Sequence, residues 1–126
     1  MKHVWIVDDD EEMSRAVKLM LKLLDCEVTG FLSARLAAQS LLSGQRPDLI
    51  ILDINMPEVS GLDLLEYLRR QEQWKNLPVI MLSTEAADVT VDRAMDLGAD
   101  GYVSKPVTLE ELEKVMNTAL IKHQKG

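Results

Sequence analysis

The sequence has a single cysteine, Cys26, which leaves no partner for an internal disulfide and fits a reducing compartment. It has two histidines, His3 and His123, at opposite ends of the chain; both make poor metal ligands, and ordinary surface roles are expected for them. No apolar run is long enough for a membrane span, because Lys18, Lys22 and Arg35 interrupt the longest candidates. Asp8 follows the N-terminal lysine too closely for an h-region, so a cytoplasmic chain without a secretory leader is expected. Neither Gly-x-Gly-x-x-Gly nor the Walker A pattern occurs, so a dinucleotide or nucleotide-triphosphate site is not indicated. Basic residues are in deficit, and the net charge of −7 argues against direct binding of nucleic acid. Repeats, linkers and low-complexity segments are also missing. What remains is a 126-residue chain, 47% apolar, of a size that buries a full core as one domain. That domain is placed at 1–121, and 122–126 is expected to be a polar C-terminal tail that frays.

The most informative stretch is Leu49-Ile50-Ile51-Leu52-Asp53-Ile54-Asn55-Met56-Pro57. A run apolar on both faces suits a strand covered on both sides, as at the centre of a parallel sheet. Asp53 then stands at the carboxyl end of that strand, where open α/β sheets place their ligands. Three more strands end in polar groups: His3–Val7 in Asp8-Asp9-Asp10, Val79–Leu82 in Ser83-Thr84, and Gly101–Ser104 in Lys105-Pro106. Carboxylates, hydroxyls and one ammonium are thus delivered to a single edge. A fifth strand, Cys26–Phe31, is less apolar and suits the margin of the sheet.

Helices fill the intervals. Met13, Ala16, Val17, Met20, Leu21 and Leu24 recur at helical spacing, with Lys18 and Lys22 on the polar face. Ser33 caps a helix carrying Ala34, Ala37, Ala38, Leu41 and Leu42, closed by Gly44. Ser60-Gly61 opens a helix through Leu62, Leu65 and Leu68. Ala87 to Leu97 form a short helix with Val91, Ala94 and Met95 inward, ended by Gly98. Thr108 and Glu111 form a capping box for the last helix. Five strands alternating with five helices predict a doubly wound α/β sandwich on a parallel sheet.

Three carboxylates converging on one edge repel each other unless a cation joins them. Oxygen ligation with waters left over suits Mg²⁺, or Mn²⁺ in its place, better than zinc. A divalent ion, a lysine, a hydroxyl and a carboxylate together describe a phosphoryl site. Each group also has a plainer reading. Asp8 and Asp9 could cap the first helix, Ser83-Thr84 could open a loop, and Tyr102 could be half-buried packing.

Taken together the motifs resemble the receiver domain of two-component response regulators. The matching pieces are Val7-Asp8-Asp9, Leu52-Asp53-Ile54-Asn55-Met56-Pro57 with Gly61 after it, Ser83-Thr84, and Gly98-Ala99-Asp100-Gly101-Tyr102 leading to Lys105-Pro106. The likeness covers about Lys2 to Leu120. It implies a five-stranded sheet of order 2-1-3-4-5 and a phosphoacceptor at Asp53, charged by a sensor histidine kinase or phosphotransfer protein. It further implies Asp8, Asp9, Asp53 and the Asn55 backbone carbonyl as Mg²⁺ ligands, and Ser83 and Tyr102 as the switch pair. Lys105 would pair with the phosphoryl group through a cis bond to Pro106. Asn55, Thr84 and Glu85 would tune the lifetime of the phosphorylated state, Asn55 and Glu85 being similar to chemotaxis-type receivers. The face of the fourth helix, fifth strand and fifth helix would carry the output to a downstream target or a phosphorylation-linked dimer. The first helix near Met13, Arg15 and Ala16 would receive the kinase.

Two departures stand out. Asp25-Cys26 replaces the usual glycine and aromatic, in a turn that Asp tolerates. Thr84 replaces a smaller residue beside the site. A partner-binding receiver that is never phosphorylated and a Mg²⁺-dependent aspartyl-phosphate phosphatase are the competing readings. The complete acidic set argues against the first. Asn55, where such phosphatases carry a second acid, argues against the second. A receiver modifies only itself, so no enzyme acting on an external substrate is expected.

Overall fold

Strand side chains alternate between the two faces of a sheet, so a strand apolar at every position needs a cover on both sides. The computed structural model describes residues 2–84 and 88–124 and supplies both covers. Its elements are β1 (Lys2–Val7), α1 (Glu11–Leu23), β2 (Cys26–Phe31), α2 (Ala34–Leu42), β3 (Leu49–Asp53), α3 (Gly61–Arg69), β4 (Val79–Ser83), α4 (Asp88–Asp96), β5 (Gly101–Ser104) and α5 (Leu109–Gln124). All strand pairs are parallel, in the order β2-β1-β3-β4-β5 expected from the resemblance.

The alternation divides the core in two. Trp5, Val7, Ile50, Leu52, Val79 and Met81 face α2, α3 and α4, where Ala37, Leu41, Leu65 and Leu68 meet them. Val4, Ile6, Leu49, Ile51, Ile80 and Leu82 face α1 and α5, against Val17, Leu21, Leu112 and Met116. Truncating any one of these leucines or isoleucines to alanine costs about 2–5 kcal/mol, because little else can refill the space. No helix among the described residues is long and apolar enough to cross a membrane.

The helix ends follow local chemistry. Ser33 Oγ accepts the Leu36 N–H at 3.2 Å, and Thr108 Oγ1 accepts that of Glu111 at 3.2 Å. Ser60 and Asp63 exchange side chain-to-backbone bonds in a full capping box. Gly44 and Gly98 take positive φ after α2 and α4, and Asp25 does the same at φ 61°.

Several helix faces differ from the sequence reading. Ser14 is buried in α1 while Ala16 is exposed, because the stripe that meets the sheet runs through 14, 17 and 21. Leu42 and Met95 point to solvent, each one residue past an inward position. Ala87, the expected start of the fourth helix, lies outside the described residues.

The C-terminal boundary also changes. The expected tail from residue 122 is helix as far as Gln124, and His123 is not an ordinary surface residue. Its Nε2 lies 2.8 Å from Oδ1 of Asp100, a carboxylate buried at the amino edge of the sheet. Lys122 Nζ reaches the same oxygen at 3.6 Å. Oδ2 of Asp100 accepts the Val79 N–H at 2.9 Å and Arg69 Nη2 at 3.0 Å. Arg69 also donates to the carbonyls of Gly98 and Leu77. Burial pulls the Arg69 guanidinium below its ordinary value, and the Asp100 charge opposes this. The last turn of α5 is therefore fastened to α3, β4 and the approach to β5 by one carboxylate. Removing that carboxylate strands a buried cation, a change that costs about 3–5 kcal/mol. Asp100→Ala should lower the urea-unfolding free energy by that amount, whereas His123→Ala, at a partly exposed position, should cost about 1 kcal/mol.

Candidate functional site: an acidic cluster at the carboxyl edge

Parallel strands in register end together. β1 releases Asp8 and Asp9 beside Asp53 of β3, because Val7 pairs with Leu52. Asp53 pairs with Leu82, which places Ser83 next, and Ser83 pairs with Ser104, just before Lys105. Backbone bonds from Ile54 N–H to Leu82 O (3.0 Å) and from Lys105 N–H to Ser83 O (2.8 Å) extend the ladder into these loops.

Asp8, Asp9 and Asp53 each bring one carboxylate oxygen within 4.8 Å of the others. Asp8 is fully buried, Asp53 is 2% exposed, and Asp9 faces solvent. Neither Asp8 nor Asp9 is the cap of α1. That role belongs to Asp10, whose Oδ1 accepts the N–H groups of Glu12 and Met13. Asp8 Oδ1 accepts the Asp10 N–H at 2.9 Å and so shapes the turn that presents the acids. The cap at Asp10 was not recognised in the sequence, although its place directly before a helical pattern is a legible signal.

Lys105 Nζ lies 3.0 Å from Asp8 Oδ2 and 3.5 Å from Asp53 Oδ1, with its side chain mostly buried. The Lys105–Pro106 peptide is cis. Burial disfavours the ammonium, but its pairing with Asp8 and Asp53 outweighs this and raises the Lys105 pKa. Asp53 is pushed up to about 6, first by burial and then by the Asp8 charge; Lys105 and the Asn55 N–H pull the other way.

The remaining residues divide clearly. Asn55 Nδ2 donates to Ser83 Oγ at 3.4 Å, a contact that sequence spacing could not show. Ser83 is buried, Thr84 is exposed beside it, and Glu85 lies outside the described residues. Tyr102 pairs with Met81 and is half-buried against the core under α4. Gly61 has a role that only the fold explains. A Cβ there would stand 2.1 Å from the Asp53 carbonyl oxygen, so α3 can start this close only without one.

The site suits a hard divalent cation. The donors are carboxylate oxygens, the choice of Mg²⁺ rather than of zinc. Buried Asp8 Oδ2 receives no hydrogen bond among the described residues; the Lys105 ammonium is near it but off the line of a good one. Three carboxylates against one ammonium leave the cluster negative.

The raised pKa of Asp53 carries a sign. The folded chain holds its proton more tightly than the unfolded chain, so stability is highest below about pH 4 for this group. It falls as pH rises from 3.8 to about 6. The penalty at neutral pH is at most about 3 kcal/mol, from a rise of 3.8 to about 6. In metal-free buffer, Asp53→Asn should therefore raise Tm at pH 7.5, and the gain should shrink to nothing towards pH 4 in calorimetric scans.

Comparison with known proteins places this geometry in context. The family model of the response regulator receiver domain matches residues 4–117. Chemotaxis protein CheY-3 of Vibrio cholerae is 35% identical over 114 residues, 90% of this chain and 88% of that protein. Protein RcaC of Microchaete diplosiphon is 35% identical over 109 residues, but this chain spans only 17% of its length. The crystal structure of V. cholerae CheY4 superimposes with a TM-score of 0.86 at 32% identity, covering 95% of this chain and 99% of that one. On these grounds the chain belongs to the response regulator receiver domains of two-component systems.

Proposed function

We propose that the chain is a phosphorylation-activated switch in the cytoplasm, and that Asp53 accepts a phosphoryl group from a phosphohistidine on a sensor kinase or phosphotransfer protein. The observation that carries this reading is a buried carboxylate, Asp53, faced by Lys105 and flanked by two further acids. Above about pH 6 Asp53 is ionised and nucleophilic. One of its oxygens attacks phosphorus, the P–N bond breaks, and the electron pair returns to the donor imidazole. Asp8, Asp9, Asp53 and the Asn55 carbonyl would hold Mg²⁺, which supplies charge neutralisation for the phosphoryl oxygens. Lys105 pairs with one such oxygen. The Ser83 hydroxyl turns from Asn55 to donate to another.

Phosphorylation adds about −1.5 to −2 in charge at Asp53. Two charge-assisted hydrogen bonds, from Ser83 and Lys105, supply roughly 3–6 kcal/mol. Inverting a balance from 1:99 to 99:1 takes about 5.5 kcal/mol, so these contacts are of the right size. Ser83 moves with its loop towards the new charge, Tyr102 follows into the space left, and the face of α4, β5 and α5 changes shape. A downstream target, or a second copy, reads that face. The kinase docks on α1 near Met13, Arg15 and Ala16.

Intact-mass measurement after incubation with acetyl phosphate should show a Mg²⁺-dependent gain of one phosphoryl group, absent in Asp53→Asn. No gain on folded protein would point instead to a receiver that works by binding alone. Thr84 is exposed beside Ser83, and its branched side chain would narrow the path of attacking water. Thr84→Ala should speed dephosphorylation about fivefold, or about 1 kcal/mol in barrier; equal phosphoryl lifetimes in the two proteins would remove that role.

A further inference from the structure

On the far side of α1 from α5, a cleft of about 360 Å³ lies between α1 and the edge strand β2. Its floor is Gly30. The Lys18 side chain lies across that glycine, with Nζ only 2.6 Å from the point where a Cβ would stand, and the Ser14 hydroxyl is 3.5 Å from the same point. Ser14 is buried and lines the cleft beside Lys18. Arg15 lines the cleft as well. No carboxylate of the described residues stands within ion-pair distance of Arg15 or Lys18, although the chain carries a net charge of −7.

β2 has one strand neighbour, β1, so its other edge is open. Phe31 O accepts the Asp8 N–H on the β1 side at 3.0 Å. By alternation along the strand, Val28 and Gly30 turn their N–H and C=O groups to the open edge. A second groove, of about 440 Å³, runs on the opposite face of the same edge, shares Gly30 and Leu32 with the first, and is walled by Phe31 and Leu36. Leu32 and Leu36 are both substantially exposed.

We propose that the open edge of β2 is a docking site for an extended segment of a partner protein in which acidic and apolar residues alternate. Added as a sixth strand, the segment bonds to the backbone of Val28 and Gly30. Its side chains alternate between faces. The acidic set enters the α1 cleft to meet Arg15, Lys18 and the Ser14 hydroxyl, and the apolar set lies on Leu36 and Phe31. Glu11 lines the cleft too, which places the strongest acid contact at the Lys18 end. Charge selects the occupant. A second copy of this chain, paired antiparallel through β2, would bring the two sets of Arg15 and Lys18 to the same face, cation against cation.

The test is an amide chemical-shift titration of the full ¹⁵N-labelled chain with a capped peptide of four Glu-Val repeats. A peptide of four Lys-Val repeats and inorganic phosphate serve as comparisons. The expected result is saturable shifts at Val28, Gly30 and the Ser14–Lys18 turn with the Glu-Val peptide alone. Lys18→Glu should weaken that binding about tenfold, and Arg15→Glu combined with Lys18→Glu should transfer binding to the Lys-Val peptide. The proposal is overturned if β2 does not shift, if Lys18→Glu leaves the affinity unchanged, or if phosphate alone reproduces the shifts, which would mean an anion subsite without strand addition. Concentration-dependent dimerisation through β2 in the absence of peptide would assign the edge to a second copy and overturn it equally.

Discussion

The interaction on which the functional end of this molecule depends is the contact of the Lys105 ammonium with Asp8 and Asp53. Two carboxylates at the carboxyl edge of the sheet are nearly removed from water, and like charges so placed repel each other. The lysine offsets part of that repulsion at 3.0 and 3.5 Å. The balance left over is still negative, and Asp53 sits well above its usual range. A cluster in this condition gains stability from an arriving cation. On the proposed reading, a change of charge on one member is what the switch would respond to.

The opposite edge of the sheet uses the same kinds of side chain to the contrary effect. Asp100 is one buried carboxylate among Arg69, Lys122 and His123, with the Val79 N–H as a further donor. Both of its oxygens have close polar partners, and two cations face one acid. That end is a rivet joining α3, α5 and the starts of β4 and β5. The carboxyl end is left with a net negative charge, three carboxylates against one ammonium. The two ends of the sheet therefore carry opposite balances of charge within one small domain.

The sheet also has a lateral asymmetry. β3 sits at its centre with both faces covered, while β2 closes one side with half-buried residues and an open hydrogen-bonding edge. Edge strands are commonly blunted by proline or inward charge. Here the neighbouring helix presents Arg15 and Lys18, which form no ion pair among the described residues; this discourages self-pairing and leaves room for a strand of opposite charge.

How much of this was legible without coordinates follows from the range of the interactions. Short apolar runs ending in Asp8, Asp53, Ser83 and Lys105 revealed strands and a common site edge, because run length and strand termination are local properties. Helix caps at Ser33 and Thr108 were legible for the same reason. The strand order came from resemblance, since nothing local to β2 says which neighbour it joins. The exposure of Ala16, Leu42 and Met95 was misread because a helical stripe can be rotated by one residue without changing its periodicity. His123 was misjudged because its partner, Asp100, is 23 residues away and in another element. The same limit hid the need for Gly61 against the Asp53 carbonyl and the contact of Asn55 with Ser83. The sequence by itself determined which residues form strands and helices and which chemical groups stand at their ends. Only the tertiary structure decided which of those groups touch, which charges are matched and which edge stays open, because those outcomes depend on distances between segments far apart in the chain.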